Sequence, residues 1–371
     1  MNTPAIIKQD ERAIFALRSL YRSFGYSQFK MSKFEEYDLY VRNKSFLVSD
    51  HIITFTDTNG KLMALKPDVT LSIVKNSKDT PDSVQKVYYD ENVYRVSAGR
   101  DAYREIMQAG LECIGAVDNY CIAEVLTLAV KSLSLISPDF VLDVSHLGIL
   151  SAVLDSIPVS LGGRAALVRC VGEKNLHGID EICISEGIDP KEADALKALV
   201  GSYGAPADVI TKLEKLLDEA AQPLIKEFSE ILSAIPTEHI RIDFSVVNDL
   251  GYYNGIVFGG FVRGIPQSIL SGGQYDNLMK KMGRRSRAIG FALYLDLLEE
   301  LEEPRNDYDV DTVLLYDGTV DLSLLTATVS ELTQKNDAGV LALRSIPKKL
   351  RYRTLLKLTA KGLETADETH A

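Results

Sequence analysis

Residues 86–115 read KVYYDENVYRVSAGRDAYREIMQAGLECIG, and two runs rich in β-branched and aromatic residues flank a short charged segment with Ser and Gly. The pattern predicts a β-hairpin that carries Arg95 on its first strand. Alternate side chains of a strand share a face, so Gln108, Gly110 and Glu112 point the same way. An amide and a carboxylate beside a planar cation predict a small-molecule pocket that suits a carboxylate or phosphate. An exposed strand face with scattered charges is the competing interpretation.

Length and composition predict a large globular protein. At 371 residues the chain is long enough for two or three domains, and 46% hydrophobic with 25% charged residues is ordinary for packed cores. The sequence has no basic segment followed by an apolar leader and no apolar run of membrane-spanning length, so we expect a cytoplasmic protein with no membrane partner. A net charge of −11 disfavours general nucleic-acid binding but leaves room for a local basic patch.

The cysteines predict neither a metal site nor a disulfide framework. They are widely spaced without a C-x-x-C pair, which is typical of small buried side chains. No metal and no cofactor are therefore predicted. The four residues are Cys113, Cys121, Cys170 and Cys183.

The first part of the chain alternates helix and hairpin signals. Apolar residues recur at helical spacing over residues 11–24, and Gly25 suits a helix end. The Asn-Gly pair at 59–60 between two apolar runs predicts a hairpin with a primed turn. The Asp-Asn pair at 118–119 can cap a following amphipathic helix.

Later segments predict a helical insertion, a return to the sheet and a separate tail. Residues 147–235 have an almost entirely helical pattern, whereas residues 239–247, 252–262 and 267–271 have strand patterns. Gly272-Gly273 predicts a turn, and residues 286–301 predict a long amphipathic helix. Residues 348–358 predict a basic edge strand, with nucleic-acid contact as the minor alternative. The predicted domains are a core of 1–146 and 236–302, a helical insertion of 147–235 and a small α/β domain of 310–371.

Taken in order, these segments resemble the catalytic domain of histidyl-tRNA synthetase over roughly residues 8–300. The resemblance implies an α+β fold with a class II aminoacyl-tRNA synthetase-like antiparallel sheet flanked by helices. Within that group, the chain more narrowly resembles the synthetase-like regulatory subunits of ATP phosphoribosyltransferase, and LDVSHLGIL is typical of this branch. The other motifs are GYSQFKMSKFEE (first dimer-forming motif), LKPDVT (substrate loop), YRVSAGRDAYREIMQAGLECIG (second motif), NDLGYYNGIVF (histidine-specific motif), SGGQYDNL (glycine turn) and AIGFALYLDLL (third motif).

The departures from the synthetase pattern concern the catalytic cations. Asn248 and Leu297 stand where the family has arginines, Ser97 replaces the glutamate that reads adenine, and Ser32 replaces a proline, while Arg95 persists. Adenylation builds negative charge on phosphate, and each lost cation costs about 3 kcal/mol of transition-state stabilisation. The resemblance therefore implies a protein with no catalytic residues.

The resemblance also implies a histidine pocket. Its carboxylates suit an α-ammonium, Arg95 suits the carboxylate, and a tyrosine with Gln108 or Glu112 suits the imidazole. Asp68 is shorter than the usual synthetase glutamate. An empty pocket in which Glu112 pairs with Arg95 or Arg104 is the alternative. The expected histidine-binding residues are Asp68, Thr70, Arg95, Gln108, Glu112, Tyr252 and Tyr253.

The function implied by the resemblance is regulatory. The expected partners are a short-form catalytic subunit of ATP phosphoribosyltransferase, a second copy of the chain in a synthetase-like dimer, and L-histidine as feedback effector; tRNA is not expected. The chain would activate the catalytic subunit in the first step of histidine biosynthesis. A histidine-adenylating enzyme, such as a functional histidyl-tRNA synthetase, and a histidine-binding protein without a catalytic partner are the alternatives.

Overall fold

A computed structural model of the protein describes residues 9–44, 47, 52–80, 82–96, 103–236, 238–247, 252–301, 308–336 and 339–368. The chain divides into two compact units, Met1–Leu301 and Glu302–Ala371. The predicted small C-terminal domain falls within the second unit. The predicted core and the predicted helical insertion both fall within the first.

The first unit contains eleven α-helices and twelve strands among the described residues. The helices are α1 (Gln9–Ser23), α2 (Tyr37–Arg42), α3 (Thr70–Asn76), α4 (Asn119–Ile136), α5 (Leu147–Asp155), α6 (Leu161–Gly172), α7 (Leu176–Ser185), α8 (Asp194–Val200), α9 (Pro206–Leu216), α10 (Gln222–Ser233) and α11 (Asp276–Lys281). The strands are β1 (Ser27–Gln28), β2 (Phe34–Glu36), β3 (Thr54–Thr56), β4 (Leu62–Leu65), β5 (Val84–Val96), β6 (Tyr103–Gly115), β7 (Phe140–His146), β8 (Tyr203–Gly204), β9 (Ile240–Asp243), β10 (Ile256–Val262), β11 (Leu270–Gln274) and β12 (Arg287–Tyr294). Short 3₁₀ segments cover Pro190–Ala193 and Leu295–Glu300.

A nine-stranded sheet forms the centre of the first unit, in the order β1-β5-β6-β12-β11-β10-β7-β9-β8. All neighbours are antiparallel except β1 with β5 and β7 with β9. One face packs against α1 and α4: Tyr21 contacts Phe291 edge-on, and a Cβ at Gly260 would lie 2.7 Å from a methyl carbon of Leu133. A largely antiparallel sheet flanked by helices confirms the predicted fold class.

Local capping explains several of the element ends. The helix predicted for residues 11–24 is α1, after which Gly25 adopts a φ of +82°. Asp118 caps α4 by accepting a hydrogen bond of 2.9 Å from the backbone N–H of Cys121. His146 caps α5, because its Nδ1 accepts from the N–H of Ile149 at 3.3 Å. The imidazole is buried, which lowers its pKa to about 4 and leaves it a neutral acceptor at neutral pH.

The insertion predicted for residues 147–235 is helical, with one two-residue strand, β8. Leu150, Leu167, Leu199 and Phe228 from these helices belong to the same continuous hydrophobic core as the sheet. The helices therefore pack as a layer on the central sheet rather than as a detached body, consistent with their place in the first compact unit.

Three local predictions differ from the structure. Residues 286–301 form β12 and a 3₁₀ segment instead of one long helix, and Gly272-Gly273 lies inside β11 instead of forming a turn. The hairpin at 59–60 is present as β3 and β4, but its loop is a wider one. There the N–H of Asp57 donates to the Lys61 carbonyl at 2.9 Å, and Gly60 takes the left-handed conformation at a φ of +80°.

The second unit is a small α/β sheet. It contains β13 (Val310–Tyr316), α12 (Leu322–Asn336), β14 (Val340–Leu343), β15 (Tyr352–Thr359) and β16 (Gly362–Glu368), in the sheet order β14-β13-β15-β16. The basic segment predicted as an edge strand corresponds to β15, which is paired on both sides, with β13 and β16. Its outward Arg353 and Lys357 are solvated on an interior strand.

One described helix, α4, is long and apolar enough to meet the size and composition criteria for a membrane span. Its side chains pack into the hydrophobic core of the first unit. Core helices commonly meet the same criteria, and α4 is one of them.

Candidate functional site

The sheet face opposite α1 and α4 carries a cavity of about 420 Å³. Register aligns Tyr89, Gly110, Ala292 and Ser271 in one row across β5, β6, β12 and β11, and all except Gly110 line the cavity. Glycine is required at 110, because a Cβ there would lie 2.2 Å from the carbonyl oxygen of Phe291. The Tyr89 hydroxyl lies over Gly110, 2.5 Å from where a Cβ would be, whereas the small side chains of Ala292 and Ser271 border the cavity itself.

The structure brings all seven predicted pocket residues to this one cavity. They come from the loop before α3 and the first residue of that helix, from the neighbouring antiparallel strands β5 and β6, and from the segment that precedes β10. Strand register places Arg95, Gln108 and Glu112 on one face, and the tertiary fold brings the other four from distant segments of the sequence. The lining includes Asp68, Thr70, Arg95, Gln108, Glu112, Tyr252 and Tyr253.

Glu112 lies at the enclosed end of the cavity and is 2% exposed. Thr70 Oγ1 donates to its Oε1 at 2.8 Å, and the Tyr275 hydroxyl donates to its Oε2 at 2.6 Å. Burial raises the pKa of Glu112 to about 8, although the two hydroxyl donors oppose the rise. The site thus holds an acid that a hydrogen-bond donor or a cation on a ligand would stabilise in its ionised form.

The alternative in which Glu112 pairs with an arginine does not occur among the described residues. Both of its oxygens are bonded to hydroxyl groups, and Arg104 lies instead 3.6 Å from Asp296. Arg95 donates from Nε to the carbonyl oxygen of Pro67 at 3.1 Å. The pocket is held together by neutral donors and acceptors, which leaves its charged groups available to a ligand.

Asp68 and Arg95 lie at the more open end. Both are half-buried, and Asp68 accepts a hydrogen bond of 2.8 Å from the N–H of Leu71 in the first turn of α3. Burial raises the pKa of Asp68, while that backbone bond and the positive charge of Arg95 oppose the rise. A carboxylate and a guanidinium side by side can bind the ammonium and the carboxylate of an amino acid.

Gln108 contributes a donor without an acceptor. The residue is 3% exposed, and its Nε2 has no hydrogen-bond partner among the described residues. A buried donor left unpaired costs about 1–3 kcal/mol, so an acceptor on a bound ligand would recover that free energy. Gln108 and Glu112 lie four residues apart on β6, with Glu112 beside Gly290 and Gln108 beside Tyr294 on β12.

Tyrosines that the sequence analysis missed complete the walls. Burial raises the pKa of Tyr89 and Tyr275 well above the ordinary value, as it does for the predicted Tyr252, so these hydroxyls remain neutral. Strand alternation could have revealed Tyr89, six residues before Arg95 on the same face of β5. The lining residues not predicted are Leu47, Val69, Tyr89, Ser271, Tyr275, Gly290, Phe291, Ala292 and Tyr294.

The positions that depart from the synthetase pattern lie away from the cavity or outside the described residues. Leu297 is 8% exposed and packs in the hydrophobic core. Ser32 accepts a hydrogen bond from the N–H of Phe34 at 3.1 Å. Ser97 and Asn248 lie outside the described residues. In the described ranges, no group of three or more His, Cys, Asp or Glu is placed to hold a metal ion.

A largely antiparallel sheet with a polar cavity on one face and helices on the other defines a protein of the class II aminoacyl-tRNA synthetase fold. The chain belongs to the histidyl-tRNA synthetase family, whose family model matches residues 2–298. The resemblance seen in the sequence motifs is thereby confirmed.

Relatives in this family have two different names. The chain is 28% identical over 297 residues to an ATP phosphoribosyltransferase regulatory subunit of Oceanobacillus iheyensis, covering 78% of this chain and 73% of the relative. It is 31% identical over 294 residues to a histidine–tRNA ligase of Methanococcus vannielii, covering 76% of this chain and 69% of that relative. Sequence identity alone therefore does not distinguish the regulatory subunits from the ligases.

Solved structures share the fold. A Bacillus halodurans protein described as an ATP phosphoribosyltransferase regulatory subunit/histidyl-tRNA synthetase aligns with a TM-score of 0.75 at 20% identity, covering 96% of this chain and 99% of that one. A chain of the Thermotoga maritima ATP phosphoribosyltransferase complex aligns with a TM-score of 0.60 at 19% identity, covering 79% of this chain and 98% of that one. At these identities the likeness concerns the fold.

Proposed function

We propose that the chain is a non-catalytic regulatory subunit of ATP phosphoribosyltransferase in the cytoplasm. It activates a short-form catalytic subunit in the first step of histidine biosynthesis and binds L-histidine as the feedback inhibitor. The observation that carries the proposal is the convergence of seven predicted side chains on one cavity, in a chain whose relatives include several named regulatory subunits.

The shape and chemistry of the cavity support histidine as the ligand. Arg95 faces the ligand carboxylate, Asp68 the α-ammonium, and Glu112, with Gln108 further along β6, the imidazole. An imidazole has one N–H donor and one acceptor nitrogen, which match an acidic acceptor and an unpaired amide donor. Charge-assisted hydrogen bonds of about 1.5–3 kcal/mol each, less ordering costs, give a micromolar to millimolar affinity that suits feedback.

The absence of catalysis is supported by the charges in the cavity. Among the described lining residues, Arg95 is the one basic side chain. Phosphoryl chemistry depends on several cations that stabilise the developing charge. Leu297, at the position of a family arginine, is packed in the core and offers no charge.

Self-association in the manner of class II synthetases is part of the proposal. The segment that resembles the first dimer-forming motif includes β2, which pairs with β4 in a small three-stranded sheet completed by β3. Phe34 and Phe55 on that sheet are 49% and 37% exposed, with ring centroids 5.2 Å apart. An exposed aromatic pair suits burial against a second copy of the chain.

Reconstitution tests the proposal. The full chain, mixed with a short-form catalytic subunit, is expected to co-elute with it, to increase phosphoribosyl transfer and to make that transfer sensitive to L-histidine. Glu112→Ala should remove the sensitivity to histidine, whereas Glu181→Ala, an exposed acid on α7, should retain it. Lack of co-elution and of any rate increase would refute the proposed role.

A histidine-adenylating enzyme is the second candidate, because a histidine–tRNA ligase is among the relatives, at 31% identity. Histidine-dependent exchange of pyrophosphate into ATP distinguishes the two functions. The regulatory proposal expects no exchange above background with the chain alone. Exchange at a rate typical of synthetases would establish the second candidate instead.

A further inference from the structure

Tyr294 is the large residue in a row of otherwise small β12 side chains facing the cavity. Gly290 and Ala292 precede it at two-residue spacing on the same strand face, and all three line the cavity. The cross-strand partner of Tyr294 is Gln108 on β6. Along β12, the cavity lining therefore changes from small residues to an aromatic ring between Ala292 and Tyr294.

The ring stands at the open end of the cavity. Glu112, opposite Gly290 on β6, is 2% exposed, whereas Arg95, Asp68 and Tyr294 are each half-buried. A ligand whose side chain reaches Glu112 consequently extends its other end toward Arg95 and Tyr294.

Tyr294 is held at its hydroxyl and at its backbone. Arg95 faces the Tyr294 hydroxyl as a charge and as a hydrogen-bond partner, and the Nε of the same guanidinium is tied to the Pro67 carbonyl at 3.1 Å. The backbone N–H of Tyr294 donates to the carbonyl oxygen of Ile269 at 2.8 Å. Moving the ring aside would break the contact with Arg95 at the point where that guanidinium would hold a ligand carboxylate.

We propose that Tyr294 is a specificity-determining residue that admits a free α-carboxylate beside Arg95 and excludes any group attached beyond that carboxylate. The inference rests on the proposed function, because it takes the ligand's carboxylate to lie at Arg95. Esters, amides and carboxyl-linked phosphates of histidine place their additional atoms at the open end, where the ring stands. The pocket thereby accepts a free amino acid and rejects its activated derivatives.

Calorimetry on the full chain with L-histidine and L-histidine benzyl ester tests the inference. The ester lacks the carboxylate charge and binds more weakly than L-histidine in every variant. The measured quantity is therefore the dissociation constant of the ester divided by that of L-histidine, and the change of this ratio between variants reports the space available at residue 294. Tyr294→Ala extends the row of small residues and should lower that ratio by about tenfold or more. Tyr294→Phe keeps the ring and should leave the ratio within about twofold of wild type.

The outcomes separate this inference from the proposed function. An unchanged ratio in Tyr294→Ala, with L-histidine still bound, overturns the inference and leaves the proposed function standing. Failure of the wild type to bind L-histidine overturns both. If Tyr294→Ala does not fold, Tyr294→Leu, which keeps more apolar surface but lacks the ring, has to show the same direction of change, and an unchanged ratio there counts equally against the inference.

Discussion

Replacing Glu112 by glutamine should stabilise the ligand-free protein, and increasingly so as the pH rises. Burial raises the pKa of this carboxyl group to about 8 from an ordinary value of 4.5, so the folded state favours the protonated form. The corresponding stability is fully present below about pH 4.5 and is lost as the pH rises through 8. Glutamine has a similar shape and no proton to lose.

The magnitude follows from the linkage between proton binding and folding. Between these two pKa values, the free energy of unfolding of the wild type falls by about 1.4 kcal/mol per pH unit on account of this group. From pH 5.5 to 7.5 the contribution amounts to about 2.7 kcal/mol, which Glu112→Gln does not lose. The hydroxyls of Thr70 and Tyr275 can rotate, so that one of them accepts from the new amide while the other still donates.

Urea unfolding at pH 5.5, 6.5 and 7.5, followed by circular dichroism of wild type and variant, measures the difference. Glu36→Gln is the matched control, because Glu36 is exposed and Lys61 lowers its pKa, so it does not titrate in this range. The difference in free energy of unfolding between Glu112→Gln and wild type should widen by about 1.4 kcal/mol per pH unit. Parallel curves for the two proteins would refute the account of Glu112 as a buried, protonated acid.

Three further predictions concern the ligand and the second copy of the chain. Arg95→Met should weaken L-histidine binding about 10- to 150-fold by calorimetry, since it removes a charge-assisted pair of about 1.5–3 kcal/mol; unchanged affinity would place the carboxylate elsewhere. Gly290→Ala should abolish binding and lower stability by about 1–3 kcal/mol, because its Cβ would lie 1.8 Å from Glu112 Oε2 and 2.4 Å from the Leu111 carbonyl, whereas Gly162→Ala, with 3.7 Å to its nearest neighbour, should do neither. Phe34→Glu should convert a dimer to a monomer by sedimentation velocity, while Leu161→Glu, 90% exposed on α6, should not; a dimer that persists in Phe34→Glu would exclude this surface.

The hairpin of β5 and β6 and the cavity beside it were predictable because period-two alternation fixes which side chains share a face. Gln108, Glu112 and Arg95 follow directly from that rule once the two strands pair. The resemblance to class II synthetases added residues from distant segments, such as Asp68 and Tyr253, which no local pattern could bring to the same place.

β12 shows where the sequence pattern fails. The run AIGFALYL is apolar at almost every position because one face of the strand packs in the core and the other lines the cavity, and a continuous apolar run does not distinguish a strand from a helix. Gly272 suggested a turn, but a Cβ there would lie 2.5 Å from the Gly290 carbonyl, so close strand packing explains this glycine. The error over β12 concealed Gly290, Ala292 and Tyr294, which set the shape of the cavity.

The charges of the described cavity lining favour the proposed regulatory function over ATP-dependent adenylation. Asp68 and Glu112 face a single lining cation, Arg95, so the described lining carries a net charge of about zero when Glu112 is protonated and about −1 when it is ionised. A zwitterionic amino acid with a side chain that can bear a positive charge balances either state. A triphosphate would add several negative charges beside two acids, in a partly buried site where such repulsion is poorly screened. ATP is therefore expected to leave the histidine titration unchanged at millimolar concentration, and competition between the two would show that further cations reach the site.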